Sequence, residues 1–203
     1  MRALFIHSHK VGVSFPRFQR ILIALIAATL ISCVISPVAN AVDVPPNGSY
    51  KCSTGIKDAG TPAYTITNGA VSSGSSCTGA VVIPAGVTSI GEDAFNRASS
   101  LISITIPRSV TSIGRYAFLD TTSLRSVAFE ANSQLASIEY AAFAYSGLTS
   151  IIIPRAVTSL GYGAFYFTTN LTSITFESNS SLTSIDGIAF YFFWINGHIT
   201  FNQ

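Results

Sequence analysis

The stretch Val110-Thr111-Ser112-Ile113-Gly114-Arg115-Tyr116-Ala117-Phe118, followed by Leu124-Arg125-Ser126-Val127-Ala128-Phe129, decides the fold, because its pattern returns in phase along the chain. Ala-Phe recurs with Phe at 95, 118, 143, 165 and 190. Five places before each Phe stands an aliphatic residue: Ile90, Ile113, Ile138, Leu160 and Ile185. Both series advance by 23, 25, 22 and 25. Between them falls an apolar-x-x-apolar-x-apolar signature at Leu101-Ile104-Ile106, Leu124-Val127-Phe129, Leu148-Ile151-Ile153 and Leu171-Ile174-Phe176. Partial copies open the array at Val81-Ile83 and close it at Ile199-Phe201. A sustained period of roughly 20–50 residues is the mark of a solenoid or another repeat array.

The template carries its own geometry. The last two apolar positions of the signature share one face of a strand, and Ser103 and Thr105 take the other. One such strand cannot bury its apolar face alone, but stacked copies can. Val110 to Gly114 and its copies alternate again, and read as a short second strand or extended turn on the opposite wall. Gly91, Gly114 and Gly161 then suit a sharp bend that can use positive φ. Each Ala-Phe pair is expected in a helical turn, with Phe filling the interior. Two repeat flavours alternate: Ile106 and Ile153 lead into Pro-x-x-Val, while Phe129 and Phe176 lead into Glu-x-Asn-Ser-x-Leu. The two additional residues fall in a polar turn, where length costs little.

A single long helix is excluded by the Ser, Thr, Val, Ile and Gly density and by Pro84, Pro107 and Pro154. The five in-phase Ala-Phe copies argue against an ordinary β-sandwich. The whole chain has 203 residues, 48% hydrophobic and only 10% charged. Disorder needs the opposite balance. A nucleic-acid partner is not expected either, since 11 scattered basic residues face 9 acids.

The segment from Met1 to Ala41 reads as an address. Arg2, Lys10, Arg17 and Arg20 precede an apolar run from Ile21 to Ile31, and Ala39-Asn40-Ala41 supplies a small-x-small site. Cleavage after Ala41 would leave Val42 to Gln203, with seven basic and nine acidic side chains. Two other readings stay open: a lipobox at Leu30-Ile31-Ser32-Cys33 with lipidation of Cys33, and an uncleaved anchor from Ile21 to Val38. That run is at the short end of the ~17–25 residues that span a bilayer. All three place the remainder at the cell surface or in the medium. Cleavage leaves no membrane-inserted segment. Segments 1–41, 42–78 and 79–203 are thus expected as signal peptide, N-terminal linker and cap, and solenoid. The solenoid would hold about five repeats of roughly 22–25 residues each.

Cys52 and Cys77 are the two cysteines left after the leader. An even pair in an oxidising space reads as a disulfide, with two free thiols as the alternative. Tyr64-Thr65-Ile66-Thr67, Asn68-Gly69 and Ala70-Val71 read as a hairpin. Stapled by that bridge, the hairpin would cap the first strand at Val81 to Ile83. Pro45-Pro46-Asn47-Gly48 reads as a linker or turn.

Val110 to Phe118 with Leu124-x-Ser-Val127-x-Phe129 resembles the BspA-type leucine-rich repeat of bacterial surface proteins. The resemblance runs from Val81 to about Phe201. It implies a right-handed superhelix, mostly β, with a concave parallel sheet. It also implies an extracellular role in adhesion and recognition without catalysis. Two features depart from the family pattern. A Cys often follows the family's Phe by three residues, whereas here those positions are Ala98, Thr121, Ser146, Thr168 and Phe193. The last repeat has Asn196 at the strand start, after Tyr191-Phe192-Phe193-Trp194-Ile195.

No catalytic set assembles from the sequence. His198 is the single His after the leader and aligns with the outward Ser103, Ser126, Ser150 and Ser173. Glu92-Asp93 are adjacent in a turn and point apart, and Gly161-Tyr162-Gly163 is too short a phosphate-loop signal. No cofactor or metal site is expected, and the chain reads as a non-enzyme. Two surfaces are candidates for binding an extracellular protein or glycan. One is the outward face of the wide strands, Ser103, Thr105, Ser126, Ser150, Ile152, Ser173 and Thr175. The other is an aromatic patch of Tyr166, Phe167, Tyr191, Phe192 and Trp194, which equally suits self-association. A third row, Thr88, Thr111, Thr158 and Thr183, would suit ordered water, but Ala136 interrupts it.

Overall fold

The computed structural model describes residues 44–57, 63–191 and 198–202. The expected leader, with Cys33 and Ala39-Asn40-Ala41, lies outside the described residues. So do Phe192, Phe193 and Trp194.

Each coil contributes one wide and one narrow strand. The wide strands are β4 (Gly79–Val82), β6 (Leu101–Ile106), β8 (Ser126–Phe129), β10 (Ser150–Ile153), β12 (Ser173–Phe176) and β14 (His198–Phe201). The narrow ones are β5 (Ser89–Ile90), β7 (Ser112–Ile113), β9 (Ser137–Ile138), β11 (Ser159–Leu160) and β13 (Ser184–Ile185). Equivalent strands pair in parallel, with equivalent residues in register, as in Ser103↔Ser126 and Ile104↔Val127. The result is a β-solenoid of five coils. Its core is made of the periodic positions: Ile104, Ile113, Phe118, Leu124, Ile138 and Phe143 are at 0–1% exposure.

Phenylalanine forms the spine. Phe95, Phe118, Phe143, Phe165 and Phe190 stack ring on ring, with successive centroids 5.3, 4.9, 5.4 and 5.7 Å apart and planes within 14° of parallel. Ala at the preceding position is fully buried in each coil, and its small side chain leaves room for the neighbouring turn.

The Ala-Phe segments are turns and not the expected helical turns; the described residues contain no helix. The cause lies in the backbone. Asp93, Arg97, Tyr116, Asp120, Ala141 and Tyr145 have φ between 49 and 58°, which ends any right-handed run within three residues. The turn amides bond from coil to coil instead: Phe95 N–H to Ala117 O at 2.7 Å, Phe118 N–H to Ala142 O at 2.7 Å, Phe143 N–H to Ala164 O at 2.8 Å. The glycine expectation is corrected too. Gly91, Gly114 and Gly161 do not have positive φ; what they supply is close approach. A Cβ at Gly91 would lie 2.7 Å from Val71 O, and one at Gly161 would lie 2.7 Å from Glu139 C.

The two repeat flavours interlock. Arg108 N–H, after Pro107, donates to Glu130 Oε2 at 3.1 Å, and Arg155 N–H, after Pro154, donates to Glu177 Oε2 at 3.0 Å. Gln134 N–H and Ser181 N–H close the longer turns onto Arg108 O and Arg155 O. The Thr row bonds inward to the preceding coil: Thr111, Thr158 and Thr183 hydroxyls donate to Thr88 O, Ala136 O and Thr158 O at 3.0–3.1 Å.

The wide sheet is not continuous. It divides into β4-β6-β8 and β10-β12-β14. Thr149 N–H meets Arg125 O at 3.5 Å, whereas Arg125 N–H reaches Ile102 O at 2.8 Å and Thr172 N–H reaches Thr149 O at 2.9 Å. The reason is one missing residue: Leu148 follows Phe143 at the fifth place, whereas Leu124 follows Phe118 at the sixth. The Arg125 guanidinium bridges the junction, donating to Thr122 O and Gly147 O at 2.7 and 3.1 Å.

At the N-terminus β1 (Gly48–Lys51), β2 (Ala63–Thr67) and β3 (Ala70–Ser73) form an antiparallel meander. The hairpin is where the sequence places it, and β1 starts at Gly48, the last residue of the stretch that reads as linker or turn. The cap does more than cover the first wide strand. β3 pairs in parallel with β5 and so extends the narrow sheet to eight strands. Cover for β4 comes from Val82 N–H donating to Cys52 O and from Tyr64 hydroxyl donating to Val82 O. Cys52 and Cys77 are bonded, with Cα atoms 5.6 Å apart. Tyr64 continues the Phe spine, 6.3 Å from the Phe95 ring. Burial, with the Tyr50 phenol beside it, pushes its phenol well above the ordinary tyrosine range.

Candidate functional site

The turn after each narrow strand carries side chains on both sides of the buried Ala-Phe. In the first coil these are Glu92, Asp93, Asn96 and Arg97; in each later coil at least one of the equivalent positions is aromatic. Tyr116, Tyr140 and Tyr162 form one outer row, upstream of the Phe. Tyr116 and Tyr140 meet edge to face at 5.3 Å, and Tyr140 and Tyr162 stack at 5.8 Å with planes 10° apart. Tyr145, Tyr166 and Tyr191 form a second row downstream, with successive centroids 5.7 and 5.3 Å apart.

Between the rows runs a groove of about 260 Å³. Its walls are Tyr116, Tyr140 and Tyr162 on one side and Tyr145 and Tyr166 on the other. Ala141, Ala144 and Gly163 also line it, with Leu119 and Ile188. Tyr140 and Tyr162 also border a polar groove of about 440 Å³ that holds Arg115, Glu139 and Asp186. The Arg115 guanidinium sits over the Tyr116 and Tyr140 rings, 5.7 and 5.4 Å from their centroids. Crowding of the hydroxyls has an electrostatic sign. The neighbouring Tyr116 phenol, whose own ionisation would repel a second phenolate, raises the Tyr140 phenol. Desolvation, then Tyr145, raises that of Tyr166.

These rings are exposed: Tyr140 39%, Tyr145 46%, Tyr162 43% and Tyr191 46%. Several also sit on costly backbone. Tyr116, Tyr145 and Phe167 have φ of 57, 54 and 54°, a region where a bulky residue is an outlier and glycine or asparagine is cheaper. The equivalent of Tyr116 one coil beyond Ala141 is Gly163, at φ 64°. Such outliers concentrate at functional sites.

Of the expected aromatic patch, Tyr166, Phe167 and Tyr191 do come together: Tyr166 lies 4.9 Å from Phe167 and 5.3 Å from Tyr191. The patch is larger than expected, because Tyr145 joins it at 5.3 Å from Phe167. Tyr116, Tyr140, Tyr145 and Tyr162 escape a sequence reading that treats the flanks of Ala-Phe as template. Their signal is positional: the upstream flank, Glu92-Asp93 in the first copy, carries a tyrosine in the second, third and fourth.

The strand-face candidates occupy outward positions. Ser103 pairs with Ser126, and Ser150 with Ser173 and then His198. Thr105 pairs with Ala128, and Ile152 with Thr175. The sheet break separates Ser126 from Ser150, so this face is two short rows. Ile152 stands 57% exposed among them. Thr121, Ser146 and Thr168 fill the positions where the family often has Cys, and all three are buried. Thr121 and Thr168 donate to Phe118 O and Phe143 O, while Ser146 Oγ, in the shortened coil, has no partner.

Parallel coils, an in-register ladder and a periodic core define a leucine-rich-repeat solenoid. The chain belongs to the family described as BspA type leucine rich repeat region, which matches in six copies over residues 65–199. Among solved structures it is similar to the pneumococcal vaccine antigen PcpA: 28% identity, TM-score 0.52, covering 66% of this chain and 38% of that one. It is also similar to the T. pallidum leucine rich repeat protein TpLRR (18%, TM-score 0.45, 68% of this chain and 81% of that one). A leucine rich cell surface protein from Faecalibacterium prausnitzii matches at 20% identity and TM-score 0.43, over 80% of this chain and 56% of that one. The chain thus spans well under half the length of the pneumococcal antigen. A search of curated proteins found no match.

Proposed function

We propose that the chain is a non-enzymatic, extracellular binding module that contacts a protein or glycan of another surface through its tyrosine-lined turn face. The carrying observation is that bulky aromatic side chains, Tyr116, Tyr145 and Phe167, occupy left-handed backbone positions at this surface. Stability alone favours small residues there. Tyrosine is also the residue that supplies a large, stiff, amphipathic contact at low entropic cost. An extracellular setting is supported by the disulfide, by the basic-apolar leader, and by the likeness to a vaccine antigen. Recognition of this kind needs no cofactor and no nucleic acid. The serine-lined strand face is the lesser contact surface, since it is small-chained and divided.

The test is adhesion of the fluorescently labelled mature chain to intact host or neighbouring cells. The variant Tyr140→Ala/Tyr145→Ala/Tyr162→Ala is expected to lose attachment while keeping the wild-type circular dichroism. Undiminished attachment by the folded variant contradicts the reading.

A second reading has its own observation. Among the described residues, β13 and β14 are paired on one side only, and their last residues, Ile185 and Phe201, are 46% and 57% exposed. Self-association through this end predicts a sedimentation coefficient that rises with concentration and returns to the monomer value in Phe201→Asp.

A further inference from the structure

We infer that the groove between the tyrosine rows binds a proline-rich peptide segment with a basic flank. This rests on the turn face being the contact surface, and it names the partner's chemistry. Four features of the groove lead there.

The slot is apolar and small-floored. Ala141, Ala144 and Gly163 lie between tyrosine walls, which leaves room for a flat apolar ring such as a pyrrolidine. Polyproline II segments dock in aromatic-lined grooves of this kind, because the ligand is already ordered before it binds.

The wall rings cover part of one another's faces. Tyr140 and Tyr162 are nearly parallel and stacked, as are Tyr166 and Tyr191. In these two pairs each ring covers one face of its neighbour, while Tyr116 meets Tyr140 and Tyr145 meets Tyr166 edge to face. A sugar, which stacks on open ring faces, finds fewer of them here. A polyproline II backbone has no internal hydrogen bonds, so its carbonyls are free to accept from these phenols.

Many of the main-chain amides along the groove are already engaged. Turn amides along it are engaged from coil to coil, as in Tyr116 N–H to Tyr140 O, Ala141 N–H to Tyr162 O and Tyr145 N–H to Tyr166 O. Strand addition, the other common mode for extended peptides, has no edge to use at this face.

Charge sets the flank. The adjoining polar groove holds the carboxylates of Glu139 and Asp186 against one guanidinium, Arg115. That guanidinium is already placed over two tyrosine rings. The surplus is negative, which suits an arginine or lysine beside the prolines.

The test is fluorescence polarisation on the full mature chain with three probes: an arginine-flanked oligoproline, an arginine-flanked Gly/Ser peptide of equal length and charge, and an N-acetylglucosamine oligomer. The oligoproline is expected to bind and the Gly/Ser peptide to bind weakly or not at all. Tyr140→Ala/Tyr162→Ala should weaken oligoproline binding by about tenfold or more. Should that variant fold poorly, Tyr140→Phe/Tyr162→Phe keeps the rings and is expected to lose about two- to tenfold through the missing hydroxyls. Asp186→Asn, which retains the oxygen that accepts Gly187 N–H, should weaken binding about two- to fivefold and flatten its salt dependence. Binding of the saccharide or the Gly/Ser peptide in preference to oligoproline, lost with Tyr140 and Tyr162, overturns this inference and leaves the turn face as the contact surface. Failure of oligoproline to bind also overturns it. Oligoproline binding that is indifferent to Tyr140 and Tyr162 overturns both.

Discussion

Phe95, Phe118, Phe143, Phe165 and Phe190 hold one position of the coil and stack within 14° of parallel, whereas the outer tyrosines change position and tilt from coil to coil. Tyr140 and Tyr162 stand three places before their Phe, and Tyr116 stands two before. Tyr116 meets Tyr140 at 79°, while Tyr140 meets Tyr162 at 10°. An interior row must repeat, because each ring fills a space closed by the ring above and below. An exterior row is under no such constraint. Where it is nonetheless aromatic, and at Tyr116 and Tyr145 held on left-handed backbone, packing is a poor explanation and contact with another molecule a better one.

Substitutions can attack this contrast from its structural side. Phe143→Ala, in the middle of the spine, opens a cavity between two stacked rings and should cost about 3–5 kcal/mol in urea unfolding. A loss below about 1 kcal/mol would mean that the spine does not carry the core. Reducing Cys52–Cys77 frees a loop of about 26 residues and should cost roughly 3.5 kcal/mol on chain-entropy grounds. The loss should be read first at the cap, as early hydrogen exchange of β1 to β3.

Tyr64 links the cap to the spine and extends the contrast to pH. Its phenol is raised in the folded chain, so the unfolded chain gives up its proton first as pH climbs past about 10. Stability is therefore full below that value and falls above it. Tyr64→Phe should flatten the alkaline limb of the melting-temperature profile, at a cost of about 1 kcal/mol at neutral pH for the lost bond to Val82 O. An unchanged alkaline limb would place the titrating group elsewhere. The smallest effect belongs outside. Tyr116→Asn relieves a left-handed tyrosine but loses its ring contact, and should leave thermal stability within about 0.5 kcal/mol of wild type.

The repeat, the disulfide and the cap hairpin were legible because each rests on a local pattern: a period, an even cysteine pair, an Asn-Gly between alternating runs. What was not legible depends on neighbours in space. The sheet break at β8 and β10 comes from a single residue missing between Phe143 and Leu148. The short step from Phe143 to Phe165 contains that deletion, but the change of repeat flavour hides it. Gly91 and Gly161 look like residues chosen for positive φ until the preceding coil shows its backbone within 2.7 Å of their absent Cβ. Tyr166, Phe167 and Tyr191 stand out as aromatics crowded in sequence. Tyr116, Tyr140, Tyr145 and Tyr162, scattered singly, become a site only when the coils are stacked.

If the inner ring ladder holds the fold while the outer one does not, the two must differ in what their loss costs. Urea unfolding of Tyr140→Ala/Tyr162→Ala beside Phe143→Ala decides the matter. The tyrosine pair is predicted to lose about 1–2 kcal/mol, from exposed stacking alone, with an unchanged m-value. A loss equal to or above that of Phe143→Ala would make the outer ladder part of the structural core and contradict its assignment to binding.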